Sequence, residues 1–108
     1  KRFIMMNEKL PPIEHPIIRT HPETGKKLIF VNEIFTSHIT GLNSNESDAI
    51  LQFLYRHIHN PNFQCRFIWQ QNSIAFWDNQ ITQHYAVADY SSLRTMHRLT
   101  VDGTHKPR

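Results

Sequence analysis

Strict alternation is the strongest constraint this chain places on its own fold, and it is clearest in Leu93-Arg94-Thr95-Met96-His97-Arg98-Leu99-Thr100-Val101. Period-two alternation sends successive side chains to opposite faces of a half-buried strand. Leu93, Thr95, His97, Leu99 and Val101 share one face. Arg94 and Arg98 share the other with Met96 and Thr100, and the arginines mark the wet side, so the pattern predicts an inward His97. Asp102-Gly103 follows at once and predicts a two-residue hairpin turn, because Gly tolerates φ > 0. Counting outward from that turn pairs Val101 with Thr104 and sets Arg108 opposite His97, with Cβ atoms about 5 Å apart. Pro107 works against the pairing, since proline is confined to edge strands and bulges.

Two readings of that imidazole stand side by side. A histidine on an apolar strand face can be a core residue whose ring finds a hydrogen-bond partner. With a guanidinium beside it, it can instead be a metal ligand: the metal would chelate a 2-oxo acid, and the planar arginine fork would take the acid's far carboxylate through two parallel hydrogen bonds.

Composition narrows the class. A chain of 108 residues is at most one domain with a modest core, and a 39% hydrophobic fraction with seven Phe, three Tyr and two Trp argues for a folded segment. The net charge of +3 comes from scattered rather than striped Lys and Arg, which argues against nucleic-acid binding. A single cysteine excludes an internal disulfide. Cys65 alternates with Phe63 and Phe67, which predicts a buried thiol in a reducing compartment. No apolar run approaches the length of a membrane span, and Phe3 to Met6 is too short for a signal-peptide core, so a soluble cytoplasmic protein is expected.

The chain starts at Lys1 without an initiating Met, as a fragment would, and its first residues carry no pattern. Three prolines between Leu10 and Pro16 fix an extended lead into a strand at Ile17-Ile18-Arg19. His21-Pro22-Glu23-Thr24-Gly25 is turn chemistry feeding a second strand, Lys27 to Val31, as a hairpin. Ser44 to His59 reads as a helix capped by Ser44 or Asn45, with Ile50, Leu51, Leu54, Tyr55 and Ile58 as its apolar stripe and Phe53 beside it. Phe63 to Trp69 and Ile74 to Trp77 read as a second hairpin around Gln70-Gln71-Asn72-Ser73. His57 and His59 could be read as a metal pair, but residues two apart on a helix point in different directions, which favours solvation at the helix end. Asp78 and Asn79 are expected to fix the following loop through side-chain to backbone bonds. The pattern as a whole is mainly β with one external helix, part of a double-stranded β-helix or jelly roll with a site in its mouth.

The ordered set Trp77-Asp78-Asn79, Thr82-Gln83-His84-Tyr85-Ala86, Asp89-Tyr90, Met96-His97-Arg98 and Gly103 resembles the C-terminal part of the taurine dioxygenase family. The likeness extends upstream through His15-Pro16-Ile17-Ile18-Arg19-Thr20-His21-Pro22-Glu23-Thr24-Gly25 and Phe30-Val31-Asn32. It covers nearly everything after about Pro11.

That resemblance implies an Fe(II)- and 2-oxoglutarate-dependent dioxygenase of taurine or a related small sulfonate, releasing sulfite, succinate and CO₂. It also implies His97 as one iron ligand and Arg108, ten residues beyond it, as the anchor of 2-oxoglutarate. The family's remaining ligands form a His-x-Asp/Glu pair. His21-x-Glu23 matches in form but lies downstream of where that pair belongs, and no His-x-Asp occurs in the chain. Residues 1–108 are therefore expected to be the C-terminal portion of a single dioxygenase domain lacking its N-terminal half. Such a portion should be inactive alone and associate with the missing half or with a second copy of itself.

Two departures bear on the substrate. Members acting on taurine place a further Arg a few residues beyond the 2-oxoglutarate Arg, whereas this sequence ends at Arg108, and Gln80 stands where many relatives carry Arg. His84 and Tyr85 are candidates for the site wall or its support. The alternative reading is a non-catalytic truncated remnant that folds by association with another chain.

Overall fold

The computed structural model describes residues 2–7, 10–104 and 107–108. Five strands and one helix follow in order: β1 (Arg2–Asn7), β2 (Leu10–Pro16), β3 (Ile18–Thr20), β4 (Lys27–Ile29), β5 (Thr36–Ile39) and α1 (Ser44–Ile58), then a 3-10 turn at Pro61–Phe63. Strands β2, β1 and β5 form an antiparallel sheet in that spatial order, and β3 and β4 form a separate hairpin. Among the described residues the regular structure is mainly strand with a single helix.

Local chemistry accounts for the two elements that the sequence predicts most directly. In the β3–β4 hairpin Ile18 pairs with Ile29 and Thr20 with Lys27. Its connection turns on Gly25, whose φ of +71° is open to glycine and costly to other residues. The helix starts at Ser44 as expected, but its cap is Asn43 rather than Ser44 or Asn45. The Asn43 side chain accepts from the Glu46 amide at 2.9 Å, and Glu46 reaches back to the Asn43 amide at 3.3 Å, a reciprocal capping box. Asn43 does this rather than Ser44 or Asn45 because Gly41, at φ +78°, and an extended Asn43 bring the chain in at the required angle.

The core lies where α1 meets the loop after β4 and the end of β5. Val31, Ile39, Leu51 and Tyr55 are buried, with Ile17, Ile29, Phe30, Leu42, Leu54 and Ile58 packed around them. Four such side chains contribute about 1.5–3 kcal/mol each when fully buried. The helix stripe is narrower than its sequence suggests, because Ile50 and Phe53 are exposed. Ser47 is buried on the same face, and its hydroxyl accepts from the Ile39 amide at 2.9 Å.

From Gln64 onward the described residues contain turns and irregular backbone but no strand. This corrects three expectations: strands at Phe63–Trp69, Ile74–Trp77 and Leu93–Val101. A strand persists only where its N–H and C=O groups meet a neighbouring ladder, and none of these segments has one among the described residues. Phe63 instead closes the 3-10 turn, and Cys65, expected to be buried, is exposed. The reversal at Gln70–Ser73 does form: the Ser73 amide donates to the Gln70 carbonyl at 3.1 Å and Asn72 takes φ +64°.

Candidate functional site

The C-terminal segment is attached to the β3–β4 hairpin at a few points, and these define the candidate site. His21, in the turn after β3, is only 6% exposed, and both ring nitrogens are engaged. Nδ1 accepts from the amides of Glu23 at 3.2 Å and Thr24 at 3.1 Å, which leaves Nε2 as the donor to Asp78 Oδ2 at 2.9 Å. The second oxygen of Asp78 accepts from the Gln80 amide at 2.8 Å, and its carbonyl accepts from the Thr82 amide at 3.0 Å. The hydrogen bond from His21, then that from the Gln80 amide, holds the Asp78 carboxyl below the usual carboxylate range, and the charge of Arg19 adds a smaller pull.

Two neighbouring contacts continue the attachment. Arg19 on β3 is 7% exposed, its guanidinium lies 4.9 Å from the Phe30 ring centroid, and one terminal nitrogen donates to Gln80 Oε1 at 3.4 Å. Its Nε has no hydrogen-bond partner among the described residues. The Thr20 amide, between Arg19 and His21, donates to the Arg108 carbonyl at 2.7 Å. Farther along, the Gln83 side chain donates to the carbonyl of buried Val31. Trp77 donates from Nε1 to Asn79 Oδ1 at 2.8 Å, and its ring meets that of His84 at a tilt of 48° with centroids 4.8 Å apart.

A family model described as Taurine catabolism dioxygenase TauD, TfdA family matches residues 5–100. The chain belongs to this family. Among TauD, TfdA relatives, a candidate alpha-ketoglutarate-dependent sulfonate dioxygenase of Schizosaccharomyces pombe is 48% identical over 77 residues, which cover 70% of this chain and 20% of that protein. An alkylsulfatase of Acinetobacter baylyi is 36% identical over 91 residues, covering 83% of this chain and 28% of that protein. The crystal structure of a taurine dioxygenase from Burkholderia xenovorans matches with a TM-score of 0.62 at 36% identity, over 64% of this chain and 26% of that one. The chain thus spans between a fifth and a third of the length of these relatives.

Within the TauD, TfdA segment, the residues singled out by sequence fall in different surroundings. His97 is exposed rather than inward, and it lies in irregular backbone, so the face assignment drawn from alternation does not hold. A strand's faces are defined only when the strand is paired. The pairing count around Asp102-Gly103 runs through His105 and Lys106, which lie outside the described residues. Arg108 is exposed, and its backbone is tied to Thr20 rather than to a strand of its own. Tyr85 is exposed, and His84 is in contact with Trp77.

Iron is the metal the family implies. Among the described residues no group of three or more His, Cys, Asp or Glu side chains is placed to hold a metal ion. These residues therefore do not make an iron site by themselves. His21 is not a spare ligand either, because both of its nitrogens are already committed. No helix among the described residues is long and apolar enough to cross a membrane.

The tie between His21 and Asp78 escapes sequence reading. Turn chemistry at His21 and loop chemistry at Asp78 are each legible locally, but nothing local joins residues 57 positions apart.

Proposed function

We propose that the protein is an Fe(II)- and 2-oxoglutarate-dependent dioxygenase of taurine or a related small sulfonate, and that residues 1–108 are the C-terminal portion of its jelly-roll domain. The observation that carries this reading is the family match over residues 5–100, which takes in His97, with Arg108 ten residues beyond it. Relatives whose names specify sulfonates or sulfate esters support the substrate class.

In this reading His97 contributes one neutral nitrogen ligand to the metal, and the Arg108 guanidinium takes the far carboxylate of 2-oxoglutarate bidentately, a geometry lysine cannot reproduce. The metal and cosubstrate supply the oxidising chemistry. The protein's part is binding, orientation and exclusion of water. The remaining ligands would come from a His-x-Asp pair beyond these residues. The absence of a membrane-crossing helix among the described residues and the single free thiol fit a reducing, cytoplasmic setting.

A second reading, a non-catalytic remnant that folds by association, draws on exposed apolar side chains. Phe63, Phe67, Ile68, Ile74 and Phe76 are all more than half exposed. Surface of this kind invites a covering chain, either the missing half or a second copy. The test is to measure the mass of the whole protein in solution and to assay succinate and sulfite with Fe(II), 2-oxoglutarate and taurine or a longer alkanesulfonate. Sulfonate-dependent succinate and sulfite support the enzyme. Their absence from a correctly folded whole protein establishes the remnant.

A further inference from the structure

Three consecutive residues, Arg19, Thr20 and His21, each reach the C-terminal segment, and each reaches a different part of it. Arg19 donates to Gln80, Thr20 to the Arg108 carbonyl, and His21 to Asp78. Gln80 also approaches Gly103, between His97 and Arg108, since a Cβ built on Gly103 would stand 3.9 Å from Gln80 Nε2. No strand holds this segment among the described residues, so its place depends on contacts of this kind, the bond from Gln83 to the Val31 carbonyl among them.

The strongest of them is the bond from His21 to Asp78. It is short, one end is buried, and every polar atom of both side chains has a partner. We propose that His21 and Asp78 are positioning residues: together they clasp the segment from Asp78 onward to β3 and so set where Arg108 stands. The proposal rests on the reading of Arg108 as the 2-oxoglutarate anchor.

The geometry explains why a histidine serves here. Its Nδ1 closes the Pro22–Gly25 turn by accepting two amides, and this forces the proton onto Nε2, where it meets the carboxylate. One ring thereby fixes the hairpin's turn and joins it to a residue 57 positions away. Asparagine at position 21 can keep an acceptor near the Nδ1 position but cannot reach Asp78, so His21→Asn separates the two roles. Asp78→Ala removes the clasp from the other side.

The test compares the whole protein with its His21→Asn, Asp78→Ala and Arg108→Ala variants. Amide hydrogen exchange is followed at Thr20, bonded to Arg108, and at Phe30, bonded to the Ile17 carbonyl at 2.7 Å. Equilibrium binding of 2-oxoglutarate is measured beside it. Loss of the clasp should speed Thr20 exchange by about tenfold or more while Phe30 stays protected, as for a local opening that spares the hairpin. The same two variants should weaken 2-oxoglutarate binding about tenfold. Arg108→Ala should weaken binding at least as much and leave Thr20 exchange unchanged, because the backbone carbonyl remains. Unchanged Thr20 exchange in both clasp variants overturns the proposal whatever binding does. Unchanged binding in Arg108→Ala overturns the anchor reading, and the exchange result still decides whether the clasp exists.

Discussion

The Thr20 amide and the Arg108 carbonyl lie 2.7 Å apart, so Arg108 is tied to β3 by its backbone while its side chain is exposed. A side chain held in this way is free to serve a ligand. Its loss should cost the fold little, and effects of Arg108 substitutions can be read as effects on binding.

The same separation applies to His97. Because it is exposed in irregular backbone, His97→Ala should change unfolding free energy by no more than about 0.5 kcal/mol, as for surface positions generally. It should nevertheless abolish specific Fe(II) binding by the whole protein. Thermal unfolding and metal titration of one preparation check both halves. Unfolding with unaltered metal affinity in the remaining folded fraction would instead mark a core histidine.

Asp78 gives a pH dependence with a definite sign. Its folded pKa is lowered, so the stability it contributes is complete above the ordinary aspartate value of 3.8 and is lost as the pH falls through the lower, folded value. The groups facing it are His21 and Arg19. The difference in Tm between the wild-type protein and Asp78→Asn should therefore be constant from neutral pH down to about pH 5 and shrink below about pH 4. A difference that instead grows in acid would assign the lowered pKa to something other than a native contact.

Ser47 should be the most sensitive polar position in the core. Its hydroxyl is the acceptor for the buried Ile39 amide, and Ser47→Ala leaves that donor unsatisfied at a cost of about 1–3 kcal/mol. Denaturant unfolding of the alanine variant measures it. Asn43→Ala, which removes the helix cap, should cost about 0.5–2 kcal/mol in the same assay.

What could be read from the sequence divides by the range of the interactions involved. Helix α1 and the β3–β4 hairpin were legible because their signals are local: a cap and an apolar stripe in one case, Pro22 and Gly25 in the other. Strands β1 and β5 carry no comparable turn signal; β5 forms by pairing with β1, and β1 lies between β5 and β2 and pairs with both. Alternation from Leu93 to Val101 describes what that segment would do beside a neighbour, and among the described residues it has none. The site divides in the same way. His97 and Arg108 stood out by spacing and family likeness, whereas the buried roles of Arg19 and His21 depend on Asp78 and Gln80, some 60 positions away, which no local pattern announces.

The central claim is that Arg108 grips the far carboxylate of 2-oxoglutarate. It is tested most directly by Arg108→Lys in the whole protein, with KM measured for 2-oxoglutarate and for the sulfonate. Lysine keeps the charge and loses the fork, so KM for 2-oxoglutarate should rise by the equivalent of about 1.5–3 kcal/mol, as for loss of a charge-assisted bond, while KM for the sulfonate stays within about twofold. Equal changes for both substrates, or none for 2-oxoglutarate, would contradict it.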